Sequence, residues 1–211
     1  MAEISSKDLI RTFRAVADAI EADRDRLCQL DGVIGDADHG VTMTIGFSAV
    51  TTALKGLDAA TVDPTTVFNT AAKSFLNAVG ASSGPLYATA LMRAGSIVKG
   101  RPTLDRDAMV AVVAAMARGI QDRGKAERGD KTMLDAWLPA AEAAEAAAAR
   151  NEGLKACLGA ALSAASSGAE ATKAMVASKG RASRLGARAL GHMDPGAASA
   201  VTILKAFAEL E

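Results

Sequence analysis

Asp31-Gly-Val-Ile-Gly-Asp-Ala-Asp-His-Gly40 places three carboxylates, a histidine and three glycines within ten residues. Apolar residues recur at helical spacing on both sides of it. Before it, Leu9, Phe13, Val16 and Ile20 fall on one face of a helix predicted over residues 6–28. After it, Met43, Phe47, Val50, Leu54 and Leu57 keep the same step from His39 or Val41 to about residue 57. The stretch therefore reads as a loop between two helices. Crowded carboxylates repel one another, and each must keep its solvation. A hard cation offsets both costs, and magnesium with phosphate suits an all-oxygen ligand set. Asp31, Asp36 and Asp38 are expected to turn inward toward one or two ions. A helix cap followed by a polar turn explains the same spacing without an ion, and spacing does not separate the two. A calcium-binding helix–loop–helix is a poor alternative, because the later glycine and terminal glutamate of such a loop are missing.

The helical period continues outward. Asp63-Pro64 pairs a cap with a proline at the first helical position, and Val67, Ala71, Phe75 and Val79 form the stripe that follows. Further helices are predicted over 85–99, 105–121, 132–150, 153–179 and 195–210, with a short helical piece ending at Leu190. Val176 belongs to the stripe of the 153–179 helix. Pro139 is tolerable only in the first turn of its helix and otherwise kinks it. No segment reads as a strand. About eight helices with short connections predict an all-α, antiparallel up-and-down bundle or barrel. The glycine-rich breaks after residues 30, 79, 129 and 190 follow alternate helices. In such a bundle they meet at one rim, so that rim is the expected site.

Composition narrows the function. The 211 residues suit a single domain spanning 1–211, and 50% are hydrophobic while only 3% are aromatic. Small side chains favour close helix packing. Lys+Arg and Asp+Glu number 24 each, which argues against nucleic acid as the main partner. No leader segment and no membrane-length apolar run are expected, so the cytoplasm is the default location. Cys28 and Cys157 sit in apolar helical patterns and read as buried thiols rather than a disulfide. Neither a Walker-type loop nor a dinucleotide fingerprint occurs. Gly80-Ala-Ser-Ser-Gly84 has the hydroxyls and glycines of a phosphate nest. Thr132 suits a helix cap or a nucleotide contact, and Arg181 suits phosphate neutralisation. His39 and His192 both lie in glycine-flanked turns, which marks each as a functional candidate.

Six segments in this order resemble one family: Ile34-Gly-Asp-Ala-Asp-His-Gly40, Gly80-Ala-Ser-Ser-Gly-Pro-Leu86, Arg123-Gly-Lys-Ala-Glu127, Gly129-Asp-Lys-Thr-Met133, Gly180-Arg-Ala-Ser183 and Gly191-His-Met-Asp-Pro-Gly-Ala197. Over nearly its whole length the chain resembles the L subunit of bacterial dihydroxyacetone kinase, or the matching C-terminal domain of single-chain enzymes. The resemblance implies an eight-helix barrel with ADP or ATP and two magnesium ions at one rim. It implies that Asp31, Asp36 and Asp38 hold the ions and that His39 and Thr42 approach the phosphates. Gly80, Ala81, Ser82 and Ser83 would line the nucleotide site, with Gly124, Thr132, Met133, Arg181, Asp194, Pro195 and Gly196 around the rest. Thr42 stands where relatives often carry Asn, and Arg184 where an aromatic residue is common. No acid–base group is implied on this chain beyond the metal–nucleotide site. A separate K subunit would carry the hydroxyketone, and an M subunit would rephosphorylate bound ADP from phosphoenolpyruvate. An ATP-dependent ketose kinase, such as one acting on a tetrulose, and a non-catalytic adaptor that binds a transcriptional regulator stay open, as does a homodimer.

Overall fold

The computed structural model describes residues 3–210. Among them eight α-helices carry the architecture: α1 Ser6–Ile34, α2 His39–Leu54, α3 Pro64–Ala78, α4 Ser83–Ile97, α5 Arg106–Gly124, α6 Leu134–Ala149, α7 Leu154–Ala171 and α8 Pro195–Ala208. Each helix packs on the next, and α8 returns to α1, so the bundle closes into an antiparallel barrel. The described residues contain no strand. An isolated bridge between Ile4 and Leu104 pins the start of the chain to the α4–α5 link. Among the described residues no helix is long and apolar enough to cross a membrane.

Local chemistry sets the helix starts. Ser5 and Asp8 form a reciprocal capping box on α1. Asp63, Asp105 and Asp194 each accept the backbone N–H three residues on, at 3.0, 2.8 and 2.7 Å. Pro64 and Pro195 occupy first-turn positions, where the missing N–H costs nothing.

The few aromatic residues all turn into the barrel. Phe47, Phe75, Tyr87 and Trp137 form a ladder of edge-on and tilted rings with centroids 5.1 to 6.5 Å apart. Phe13 meets Phe68 and Phe207 in a second group. Between the rings, small residues let backbones touch. A Cβ at Gly40 would lie 2.0 Å from the Arg24 carbonyl oxygen, so only glycine lets α2 start flush against α1.

Two expectations about helix ends are corrected. First, α1 does not stop at residue 28 but runs through Ile34, so Asp31 projects from a helix rather than a loop. Its carbonyl takes the Gly35 N–H, and its carboxylate reaches forward to α2, so the last turn is held from both sides. Second, α7 ends at Ala171, a 3-10 turn follows over Thr172–Ala174, and Val176 is exposed. The Thr172 carbonyl is taken by the Lys131 ammonium, and its hydroxyl accepts the Asp194 N–H, so the helix cannot continue through it. Pro139 lies in the second turn of α6, and the helix assignment runs through it. The proline leaves the Asp135 carbonyl without a helical donor, and Gly168 of α7 packs onto that oxygen, where a Cβ would sit at 2.0 Å. Both cysteines are free; Cys157 is buried as expected, whereas Cys28 is only half-buried.

Candidate functional site

A cavity of about 820 Å³ opens at the rim where the four glycine-rich breaks meet. Asp31, Asp36, Asp38, His39, Thr42, Gly80, Ala81, Ser82, Ser83, Gly124, Thr132, Met133, Arg181, Asp194, Pro195 and Gly196 all line it. These residues come from six connections and helix ends that are distant in sequence. Their meeting follows from closure of the barrel.

The acidic corner is built from α1 and α2. Asp31 is buried, and one carboxylate oxygen accepts the N–H groups of Asp38 at 2.9 Å and His39 at 3.2 Å. It thereby serves two free donors at the start of α2. Ala37 takes a left-handed conformation (φ 63°), uncommon for a residue with a Cβ. One carboxylate oxygen from each of Asp31, Asp36 and Asp38 lies within 4.8 Å of the others. The Arg181 guanidinium pairs with Asp36 and stands 4.0 Å from Asp38. The corner thus already draws positive charge, and its all-oxygen donors match a magnesium ion in ligand type.

The opposite wall suits an anion. α4 begins at Ser83 with no side chain capping its first turn, and Gly80, Ala81, Ser82 and Ser83 face the cavity there. Uncapped N–H groups and the positive end of the helix dipole favour phosphate. At the neighbouring start of α6 donors are already taken: Asp135 accepts the N–H groups of Gly129 and Thr132, and Thr132 Oγ1 accepts that of Leu134. Arg123 and Lys179 add positive charge to the lining.

The Asp194 carboxylate is desolvated at the cavity wall, which pushes its pKa up to about 7. The Ala197 N–H and the Lys131 ammonium oppose that rise, while Asp135 and Asp31 add to it. A pKa raised from 3.8 to about 7 contributes stability that is complete below about pH 4 and lost as pH rises through 7. Asp194→Asn keeps an α8 cap. It should flatten the decline in unfolding free energy between pH 4.5 and 8, measured by urea denaturation of the ligand-free protein. An unchanged slope counts against the burial account.

Burial also holds the His39 ring below its ordinary pKa, although Asp31 pulls it upward. His192 does not share this setting: its side chain is exposed and lies outside the cavity lining, and only its carbonyl matters, accepting from Lys131 at 2.5 Å. Arg184 is exposed and also stands outside the lining. Two residues were not legible as site components. Lys131 is 1% exposed and lines the cavity from behind Thr132. Ser199, fully buried on α8, hydrogen-bonds the His39 ring at 2.9 Å.

The DAK2 domain matches residues 33–209. The ADP-binding subunit DhaL of PEP-dependent dihydroxyacetone kinase 2 from Listeria innocua is 38% identical over 190 residues, covering 90% of this chain and 88% of that protein. The ADP-binding subunit DhaL of the PEP-dependent dihydroxyacetone kinase of Escherichia coli (strain K12) is 37% identical over 205 residues, covering 97% of each. Among solved structures, the dihydroxyacetone kinase from C. freundii in complex with AMP-PNP and Mg2+ superposes with a TM-score of 0.71 at 28% identity. That match covers 96% of this chain and spans about a third of the length of the crystallised one, 33%.

Proposed function

This chain belongs to the DAK2 domain family, and from that premise we propose that it is the nucleotide-holding subunit of a dihydroxyacetone kinase. In this reading residues 1–211 form a single nucleotide-binding domain. The rim cavity holds ADP or ATP with two magnesium ions, and the γ-phosphoryl passes to dihydroxyacetone bound on a separate K subunit. An M subunit recharges the retained ADP from phosphoenolpyruvate. The observation that carries the reading is the pairing, in one cavity, of a three-carboxylate corner with an uncapped helix start. One wall suits cations and the other suits phosphate, which is what a metal–polyphosphate complex requires.

The residues of the chain divide the work. Asp31, Asp36 and Asp38 would hold the magnesium ions, which supply charge neutralisation across the phosphate oxygens. Asp31 arrives pre-positioned, because its second role at the start of α2 fixes its carboxylate. Backbone donors of Gly80–Ser83 hold phosphate oxygens, and His39 and Thr42 approach from α2. Arg181, paired with Asp36 at this corner, would add positive charge beside the phosphates. Gly124, Thr132, Met133, Asp194, Pro195 and Gly196 enclose the rest of the nucleotide. The chain contributes positioning and charge, while the acceptor hydroxyl and its acid–base groups belong to the K subunit.

Native mass spectrometry after extended dialysis tests this directly. The expected result is one ADP and two magnesium ions per chain. Reconstitution with K and M subunits should then form dihydroxyacetone phosphate from phosphoenolpyruvate. Rapid loss of nucleotide with turnover on free ATP would move the donor assignment to ATP. A protein that binds neither nucleotide and supports neither reaction ends the proposal.

A further inference from the structure

The connection between α7 and α8 leaves the barrel at Thr172 and returns at Asp194. Between them it brings Lys179, Gly180, Arg181 and Ala182 into the cavity lining. Its two ends are fastened to each other. The Gly191 N–H donates to the Lys173 carbonyl at 2.8 Å, and the Asp194 N–H donates to Thr172 Oγ1 at 2.9 Å. The remainder is an arm whose 3-10 turns span Arg181–Ala189, with positive φ at Gly180, Gly186 and Gly191. Hydrogen bonds of 3-10 turns are poorer than those of an α-helix, and glycine adds backbone freedom. The arm therefore has little stiffness of its own with which to hold Arg181.

The stiffness comes from a different connection, the one between α5 and α6. Gly129 and Lys131 both take positive φ there, 96° and 59°. That conformation is uncommon for a residue with a Cβ, so something else must favour it at Lys131. Two neighbours on this turn grip the α7–α8 connection at three places. The Asp130 carbonyl accepts the Ser178 N–H at 3.2 Å, and its carboxylate accepts the Ser178 hydroxyl at 2.5 Å. The Lys131 ammonium donates to the carbonyls of Thr172 at 2.6 Å and His192 at 2.5 Å, one at each end of the connection. Lys131 is 1% exposed, and two of its three ammonium protons are committed to those carbonyls. Its charge is thus turned toward the connection rather than offered to an occupant of the cavity.

We propose that Lys131, with Asp130 beside it, is a positioning residue: it clamps the base of the 173–191 arm and so holds Arg181 over the acidic corner. Arg181 pairs there with Asp36 and stands 4.0 Å from Asp38. The clamp acts on an occupant of the cavity only through the arm. Its functional half, a slower release of ADP, rests on the nucleotide reading above. Its structural half does not, and it is measurable on the nucleotide-free protein.

Hydrogen exchange tests the structural half. Lys131→Met and Ser178→Ala should each speed exchange across residues 173–191 by more than in the barrel helices. Ser178 is exposed, so its replacement removes the side-chain contact to Asp130 without disturbing the core. Exchange in the arm that is unchanged in both variants overturns the clamp. The rate of ADP release in magnesium, measured by chase with unlabelled nucleotide, tests the functional half. Lys131→Met and Arg181→Ala should each speed release roughly tenfold, the scale of losing a charge-assisted hydrogen bond. The double variant should release no faster than the quicker single one, because both changes act through one arm. Independent effects would multiply to roughly a hundredfold and overturn the positioning role, since Lys131 would then reach the site by another route. Parent-like release in Lys131→Met, with the arm exchanging faster, likewise removes Lys131 from nucleotide retention. Faster exchange in the variants of a parent that holds no ADP would leave the clamp standing and sink the nucleotide reading instead.

Discussion

Asp36→Ala is expected to reduce phosphoryl transfer in the reconstituted kinase by roughly three orders of magnitude or more, the scale of losing electrostatic and metal-ion stabilisation together. The same change should leave the fold intact. The Asp36 side chain is 42% exposed and its partner Arg181 60% exposed, so the ion pair between them contributes little to stability. The loss therefore reads out as function. Bound magnesium, counted by elemental analysis of the nucleotide-loaded protein, should fall with turnover, and retention of ADP through dialysis should weaken. Asp31 is the less clean target. Its carboxylate also serves the N–H groups of Asp38 and His39, so a substitution there confounds metal loss with a frayed α2. Normal turnover with a full complement of magnesium in Asp36→Ala would refute the carboxylate assignment.

Lys131→Met is expected to be the most damaging change to stability near the site. The Lys131 ammonium is buried and donates to the carbonyls of Thr172 at 2.6 Å and His192 at 2.5 Å. Those two carbonyls bracket the segment that carries Arg181 and leads to Asp194. Desolvation lowers the Lys131 pKa, and the neighbouring carboxylates of Asp194 and Asp135 resist that. Methionine fills similar space but donates nothing. The Thr172 carbonyl would then keep only the Met175 N–H, and the partly buried His192 carbonyl would lose its side-chain donor, together at about 1–3 kcal/mol. Removing the buried charge itself offsets part of that loss. The net expectation is a loss of about 1–2 kcal/mol in urea unfolding. Hydrogen exchange should speed up across residues 172–192 before it does in the barrel helices. Unchanged stability together with unchanged exchange in that segment would mean that the ammonium is not what anchors it.

The helices were legible because their causes are local. Leu9, Phe13, Val16 and Ile20 repeat at the helical step and are all buried. Asp63-Pro64 and Asp194-Pro195 cap and open their helices as the pairs predict. The ends were less legible where a distant residue decides them. Nothing near Thr172 signals a stop, because the stop is imposed by Lys131 and Asp194 from other connections. Pro139 sits inside α6, and the Asp135 carbonyl that it leaves free faces Gly168 of α7, a contact that nothing near Pro139 in sequence signals. His39 and His192 look alike in sequence, each beside a glycine, yet one faces the cavity and the other solvent.

From the chain alone come the all-helical class, the number of helices, the capping pairs and the crowding of Asp31, Asp36 and Asp38. Each depends on residues within a few positions of one another, where propensity, periodicity and charge act directly. The tertiary structure decided that α8 closes onto α1, that Asp31 reaches its neighbours from a helix, and that Arg181 stands among the aspartates. It also decided that Ser199 is beside His39 across 160 positions of sequence. Those relations require the barrel to shut, and closure depends on packing between helices summed over the whole ring, which no local pattern encodes.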